Sequence, residues 1–146
     1  MTTIAVRDGV MASDSRCERY AVVGTYQKLF RRPYGIVGYA GNIQDTEALL
    51  RWYDAGASID KPLPRFVIYK DEEPSCTLLI LENSGAIKFV SRYLHVETLE
   101  DEFFAIGSGS EIAMGAMAHG ASAEEAIEIA IRLNPGTGGP IRVERL

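Results

Sequence analysis

The sequence predicts an α+β fold with antiparallel sheets, and three observations support this class. The chain has 146 residues, the length of one typical domain. Short β-rich segments are separated by turn residues, which is typical of hairpins and therefore of antiparallel pairing. Helical patterns occur in only three places, instead of alternating with each strand as in a parallel α/β fold. We expect residues 1–146 to form a single domain.

The N-terminal part of the chain is rich in β-branched residues and predicts strands. Residues 2–6 and 10–12 flank Asp8-Gly9, a dipeptide that favours a tight hairpin turn. Further strands are predicted at residues 20–23, 27–30 and 36–40.

A helical pattern begins after Gly41. Asn42 can cap a helix, Asp45 suits its positive N-terminal end, and apolar residues recur at helical spacing until Gly56. Residues 57–65 contain two prolines and no periodicity, which predicts a connecting loop.

The second half of the chain predicts another hairpin, two helices and a last strand. Residues 76–82 and 86–90 flank residues 83–85, which have a turn composition. Ser122 and Glu125 can form a capping box at the start of the last helix. The remaining predicted elements are a strand at residues 103–106, helices at 110–119 and 123–133, and a strand at 141–144.

Composition and charge argue against several classes of function. The chain carries 20 acidic and 15 basic residues, and its net charge of -5 opposes attraction to nucleic acid. No apolar run approaches the ~20 residues that cross a bilayer, and the N-terminus lacks the features of a secretory signal. Two distant cysteines and two histidines give no metal-ligand spacing and fit a reduced compartment. We expect a cytoplasmic protein without a nucleic-acid or membrane partner, a metal or an organic cofactor.

Thr2 is the residue whose position suggests chemistry. If Met1 is removed, Thr2 carries a free α-amine beside its own hydroxyl, and such an amine has an ordinary pKa of about 7.7–8.0. One residue then supplies both a nucleophile and its general base. A Met-Thr start is common, however, and in isolation it favours no function.

Five segments, in this order along the chain, resemble proteasome β-subunits. They are residues 1–6 (MTTIAV), 12–16 (ASDSR), 27–30 (QKLF), 38–41 (GYAG) and 107–110 (GSGS). Bacterial HslV, the simplest member, similarly begins Met-Thr-Thr-Ile. The resemblance covers nearly the whole chain and is to the N-terminal nucleophile (Ntn) hydrolase family of threonine peptidases.

This resemblance implies a fold, an activity and an assembly. The family fold is a four-layer αββα sandwich, with two antiparallel sheets between helical layers. Residues 57–65 stand where relatives have a second helix, so the outer helical region is shortened. The implied function is a threonine endopeptidase that cleaves peptides or unfolded proteins inside a homo-oligomeric ring, with an ATPase unfoldase as a further partner.

The resemblance also implies the roles of individual residues. Thr2 corresponds to the nucleophile, and Asp14 and Lys28 correspond to the acid and the lysine beside it. Lysine near Thr2 would lower the proton affinity of the amine and hydroxyl, and a carboxylate would hold that lysine charged. Gly41 corresponds to the oxyanion N–H donor, and Ser108 to the serine that hydrogen-bonds the terminal amine.

Two further positions complete the implied catalytic set. Asn134 stands where relatives with this motif carry aspartate, and Thr137 stands where they carry serine. An amide keeps hydrogen-bonding capacity but loses the negative charge that would help polarise Ser108. The residues implied to line the first specificity pocket are Cys17, Tyr26, Tyr39 and Ile43, and they suggest a modest, largely apolar substrate side chain.

Two alternatives stay open at the level of sequence. One is an inactive ring-forming or binding subunit, which Asn134 favours and which quantitative retention of Met1 in cells would support. The other is an Ntn amidohydrolase acting on a small non-peptide amide, which predicts an open site without a ring.

Overall fold

A computed structural model describes residues 1–66, 73 and 75–146 of the chain. Eleven strands and three helices occur among these residues. In chain order they are β1 (Thr3–Arg7), β2 (Val10–Ser13), β3 (Arg16–Arg19), β4 (Val22–Thr25), β5 (Leu29–Arg32), β6 (Gly35–Gly41), α1 (Ile43–Asp54), β7 (Cys76–Glu82), β8 (Ile87–Ser91), β9 (Val96–Leu99), β10 (Phe103–Gly107), α2 (Ser110–Ala118), α3 (Ala123–Leu133) and β11 (Arg142–Arg145).

The strands form two main antiparallel sheets and one separate hairpin. The first sheet has the order β10-β1-β2-β11, so the N-terminal hairpin lies at its centre. The second sheet runs β5-β6-β7-β8-β9 in sequence order. Strands β3 and β4 pair only with each other. The predicted α+β content and antiparallel pairing are therefore confirmed.

Side chains that alternate along the strands divide the core into three apolar clusters. In β1, Ile4 and Val6 join a cluster with residues of the second sheet, whereas Ala5 joins a cluster with α2 and α3. The third cluster lies between the other face of the second sheet and α1, where Leu49 and Trp52 are buried. Both faces of each main sheet are thus covered, and burial of these side chains provides most of the driving force for folding.

The helix starts agree with the capping residues that the sequence predicts. The Asn42 side chain accepts hydrogen bonds from the backbone N–H groups of Gln44 and Asp45, at 2.9 and 3.4 Å. At α3, Ser122 and Glu125 form both hydrogen bonds of the capping box. These caps fix where α1 and α3 begin.

The structure differs from the strand predictions in three places. The predicted strand at residues 20–23 is interrupted, because Tyr20 has a φ of 56° and forms the turn between β3 and β4. Strand β9 was not predicted: its Val-Glu-Thr-Leu sequence is short, largely exposed and at the edge of its sheet. The predicted strand at 27–30 lies two residues later, as β5.

The connection after α1 is the part of the fold with least regular structure. Residues 57–66 contain no helix or strand, as the prolines predict, and residues 67–72 and 74 lie outside the described residues. None of the three helices formed by the described residues has the length and apolarity to span a membrane.

Candidate active site

Five predicted site residues lie at strand ends that the two sheets bring together. Thr2 precedes β1, Asp14 follows β2, Lys28 precedes β5, Gly41 ends β6, and Ser108 follows β10. β1 is paired with both β2 and β10, and β5 is paired with β6. Residues far apart in the sequence therefore meet because the strands run antiparallel.

Asp14 and Lys28 form a buried ion pair. Lys28 Nζ lies 2.9 Å from Asp14 Oδ1, and both side chains are almost fully buried. Asp14 also accepts hydrogen bonds from the backbone N–H groups of Thr3, Gly138 and Arg16, at 3.0, 3.1 and 3.3 Å. A buried charge is stable only with such partners, so these donors offset the loss of hydration at the carboxylate.

The ammonium group of Lys28 is next to the main chain of the candidate nucleophile. Besides Asp14, it donates to the backbone oxygens of Met1 and Arg16, at 2.9 and 2.6 Å. The Met1 oxygen belongs to the peptide bond that joins Met1 to Thr2. Burial lowers the pKa of Lys28, and the hydrogen bond and charge of Asp14 oppose this shift.

Thr2 is held by the loop that follows β10. Its backbone oxygen accepts a hydrogen bond from the N–H of Ser108 at 2.6 Å and from the Ser108 hydroxyl at 3.3 Å. Gly107 has a φ of 96°, and a Cβ there would lie 1.9 Å from the Thr2 oxygen. Only glycine permits this approach, which fixes the Thr2 backbone beside Ser108.

Gly41 ends β6 with its backbone close to β7. Its φ is 124°, and a Cβ there would lie 2.0 Å from the oxygen of Ser75. The next residue, Asn42, donates its N–H to the same oxygen at 2.8 Å and caps α1. This glycine lies beside Thr2 in the walls of two cavities, which allows a substrate carbonyl to approach its backbone.

Backbone groups that can act only as a hydrogen-bond donor or only as an acceptor fix the orientation of the Asn134 side chain. The N–H of Gly136 can only donate, and it lies 2.9 Å from Asn134 Oδ1. The backbone oxygen of Ser108 can only accept, and it lies 3.1 Å from Asn134 Nδ2. The Thr137 hydroxyl donates to Oδ1 at 3.1 Å. An asparagine satisfies all three partners, whereas an ionised aspartate could not donate to Ser108.

The same network continues to Thr3. Because Thr137 donates to Asn134, it must accept from the hydroxyl of Thr3 in their 2.7 Å contact. The Thr3 hydroxyl in turn accepts from the N–H of Gly109 at 3.0 Å. Each hydroxyl therefore donates one hydrogen bond to a single defined acceptor. This series of uncharged hydrogen bonds connects the end of α3 with β1 and with the loop that carries Ser108.

The four residues implied to bind substrate line one cavity. This cavity, of about 370 Å³, is bounded by Cys17, Tyr26, Tyr39 and Ile43, together with Thr2, Lys28 and Gly41. We call it the Cys17 cavity. The Tyr39 hydroxyl donates to Tyr26 at 2.7 Å, and burial followed by this contact raises the pKa of Tyr39. The phenol is therefore neutral at physiological pH.

Sequence reasoning missed a second and larger cavity on Thr2. It has a volume of about 690 Å³ and contains residues from β6, β7, β8 and the turn into β9. No local motif marks it, because these residues are scattered along the sequence. In the described part of the chain, no group of three or more His, Cys, Asp or Glu side chains could hold a metal ion.

Comparison with solved structures shows that the chain has the fold of HslV, BPH and the Anbu protein. HslV from Trypanosoma brucei aligns with a TM-score of 0.69 and 18% identity over 98% of this chain and 97% of that chain. BPH from Thiobacillus denitrificans gives 0.68 and 20% over 99% and 96%, and it has also been solved in complex with epoxomicin. The Anbu complex from Pseudomonas aeruginosa, a helical assembly, gives 0.71 and 15% over 100% and 81%.

Sequence comparison by itself gives no relative. No protein-family model matches the chain, and no curated protein matches it. The likeness to HslV, BPH and Anbu extends over nearly the whole chain and is a likeness of fold.

Proposed function

We propose that this chain is a threonine endopeptidase whose nucleophile is Thr2, exposed by removal of Met1. One observation carries the proposal: the buried Lys28 ammonium lies 2.9 Å from the backbone oxygen of Met1. It is thus adjacent to the bond whose cleavage creates the Thr2 α-amine. Asp14 holds this cation in place from the other side.

Catalysis would proceed through an ester on Thr2. Thr2 Oγ1 attacks the carbonyl carbon of a peptide bond, and the Thr2 α-amine accepts the hydroxyl proton. The C–N bond then breaks, the leaving nitrogen takes the proton from the α-ammonium, and the ester remains. Water attacks this ester while the amine accepts its proton, and the proton returns to Oγ1 as the C–O bond breaks and the carboxylic acid leaves.

The surrounding groups have distinct roles in this scheme. The positive charge of Lys28 lowers the proton affinity of the amine and hydroxyl of Thr2, and Asp14 positions that charge. The Gly41 N–H stabilises the developing oxyanion. Ser108 binds beside the Thr2 backbone and helps to orient the amine, and Asn134 and Thr137 hold the Ser108 loop.

The assembly is part of the same proposal. The two sheets are covered by α1 on one side and by α2 and α3 on the other, which supports the four-layer αββα sandwich of Ntn hydrolases. We propose a cytoplasmic homo-oligomeric ring that encloses the Thr2 sites and admits peptides or unfolded polypeptides. Folded substrates would then require an ATPase unfoldase as a partner.

Two measurements test the proposal. Intact mass of the protein from cells is expected to show loss of Met1, and epoxomicin, which BPH binds, is expected to add covalently to Thr2. Thr2→Ala should abolish the adduct, whereas Thr98→Ala, on the exposed face of β9, should leave it unchanged.

The possible outcomes separate the alternatives. Processed protein that never forms the adduct would exclude the peptidase and leave an inactive subunit. An adduct on a protein that stays monomeric by light scattering would favour a small-amide hydrolase.

A further inference from the structure

Thr2 lies between two cavities. The Cys17 cavity and the larger one have Met1, Thr2 and Gly41 in common. Met1 is 64% exposed and would be absent from the processed chain. A polypeptide laid across Thr2 could therefore place one residue in each cavity, on opposite sides of the bond that is cleaved.

The larger cavity, which we call the Phe89 cavity, has an apolar floor. Ala40 and Phe89 line it, and the Phe89 ring is held edge-on against Phe104 with ring centroids 6.0 Å apart. This floor provides no charged group for a substrate.

The rim of the Phe89 cavity carries an exposed aromatic ring in a fixed position. Tyr93, in the turn between β8 and β9, is 71% exposed. Arg92 donates a hydrogen bond to its hydroxyl at 2.7 Å, and the guanidinium lies 4.8 Å from the ring centroid. Arg92 also pairs with Glu73, and the lining includes Glu97, so opposite charges are present at the rim. A ring held in this way can contact a ligand with little loss of conformational entropy.

The two cavities differ in the polar group that they bring to Thr2. Lys28 lines the Cys17 cavity, and Ser108 lines the Phe89 cavity. The leaving nitrogen gains a proton and, with it, positive charge; the neighbouring Lys28 ammonium opposes this charge, whereas the neutral Ser108 hydroxyl does not. The leaving-group side of a substrate is therefore better placed in the Phe89 cavity, and the acyl side in the Cys17 cavity.

We propose that the Phe89 cavity binds the residue immediately after the cleaved bond and selects a large apolar or aromatic side chain there. This inference rests on the proposed peptidase function and adds a specificity to it. The volume of the Phe89 cavity, about 690 Å³, exceeds the 370 Å³ of the Cys17 cavity. The stronger preference for a large side chain therefore lies on the leaving-group side.

The test uses two internally quenched peptides that differ only in the residue after the cleaved bond, phenylalanine or glycine. Purified processed protein is expected to cleave the phenylalanine peptide with at least a tenfold higher kcat/KM. Tyr93→Ala and Phe89→Ala should each reduce this ratio to within about threefold of one. Tyr20→Ala, which removes a fully exposed tyrosine from the β3–β4 turn, should keep the wild-type ratio.

Epoxomicin labelling of the same variants separates the two proposals. Labelling at Thr2 with an unchanged phenylalanine-to-glycine ratio in Tyr93→Ala would overturn the Phe89 cavity assignment and leave the peptidase intact. Loss of labelling in wild-type protein would overturn the peptidase and, with it, this specificity. Because Tyr93 is exposed, its replacement tests the assignment even if Phe89→Ala fails to fold.

Discussion

Thr2 is held between two polar networks of opposite character. On one side, Asp14 and Lys28 form a charged pair that is almost fully buried and has backbone partners for both groups. On the other side, Asn134 and Thr137 belong to a chain of neutral hydrogen bonds in which Asn134 is partly exposed. The first network places a positive charge beside Thr2, and the second orients the loop that carries Ser108 through neutral hydrogen bonds.

This difference predicts how each side responds to change. A buried charge left without its partner is costly, because neither water nor another ion can replace that partner. A neutral network loses one hydrogen bond at a time, and water can replace part of the loss where the group is exposed. Substitutions in the charged network should therefore have the larger effects.

Lys28→Met is expected to have the largest effect. It removes the cation beside Asp14, so the free energy of unfolding should fall by about 3–5 kcal/mol in denaturant titrations. Labelling of Thr2 should slow by at least ~100-fold, because the charge that lowers the proton affinity of Thr2 is lost. The matched control is Lys88→Met, whose pair with Glu82 is partly exposed and should contribute less than ~1 kcal/mol. Equal effects at the two lysines would contradict the role of burial.

Asn134→Asp tests the neutral network. The new carboxylate accepts from Gly136 and Thr137 but faces the Ser108 oxygen without a proton to donate. Stability should fall by about 1–3 kcal/mol, and labelling of Thr2 should slow about tenfold as the Ser108 loop shifts. Asn83→Asp is the control, because Asn83 also donates its amide to a backbone oxygen, that of Pro33, far from Thr2 in the fold. Faster labelling in Asn134→Asp would show instead that a carboxylate at position 134 increases the reactivity of Thr2 and that the wild-type amide limits it.

Tyr39→Phe examines the wall of the Cys17 cavity. It removes the hydrogen bond to Tyr26 and should cost about 1 kcal/mol at pH 8. The pKa of Tyr39 is raised in the folded protein, so this residue favours unfolding once pH exceeds the unfolded value of about 10. Wild type should therefore lose stability faster than Tyr39→Phe between pH 10 and 11. Parallel curves in this range would contradict the burial of the phenol.

The smallest effect is expected at Cys76, whose side chain is buried between the second sheet and α1. In a Cys17→Ser background, the rate of alkylation by iodoacetamide should continue to rise with pH up to about 11. The same chain unfolded in denaturant should level off near the ordinary thiol pKa of about 8.5. A plateau near pH 8.5 in the folded protein would mean that Cys76 is less buried between the second sheet and α1 than the structure indicates.

Local patterns in the sequence predicted most of the fold. The Asp8-Gly9 hairpin, the Asn42 cap and the Ser122 capping box each depend on neighbouring residues, and each is present in the structure. The β3–β4 turn was missed because Tyr20, a residue that rarely has a positive φ, occupies it. Strand β9 is exposed at a sheet edge, so it lacks a strong apolar pattern.

The candidate site was predicted from the family resemblance and not from local sequence patterns. Thr2, Asp14 and Lys28 were placed by resemblance, and the structure brings them together. The hydrogen-bond direction at Asn134 could not be predicted, because it depends on a carbonyl 26 residues away. The Phe89 cavity was equally hidden, since strands distant in sequence contribute its walls.

The hydrogen bonds of Lys28 differ before and after removal of Met1. A lysine ammonium has three N–H bonds, and with Met1 in place all three are engaged, by Asp14, Arg16 and Met1. Cutting the bond after Met1 removes one of these acceptors and creates an amine beside the vacated N–H. Under the proposed function, the uncut polypeptide would be an inactive precursor that the loss of a single residue activates, without rearrangement of the surrounding chain.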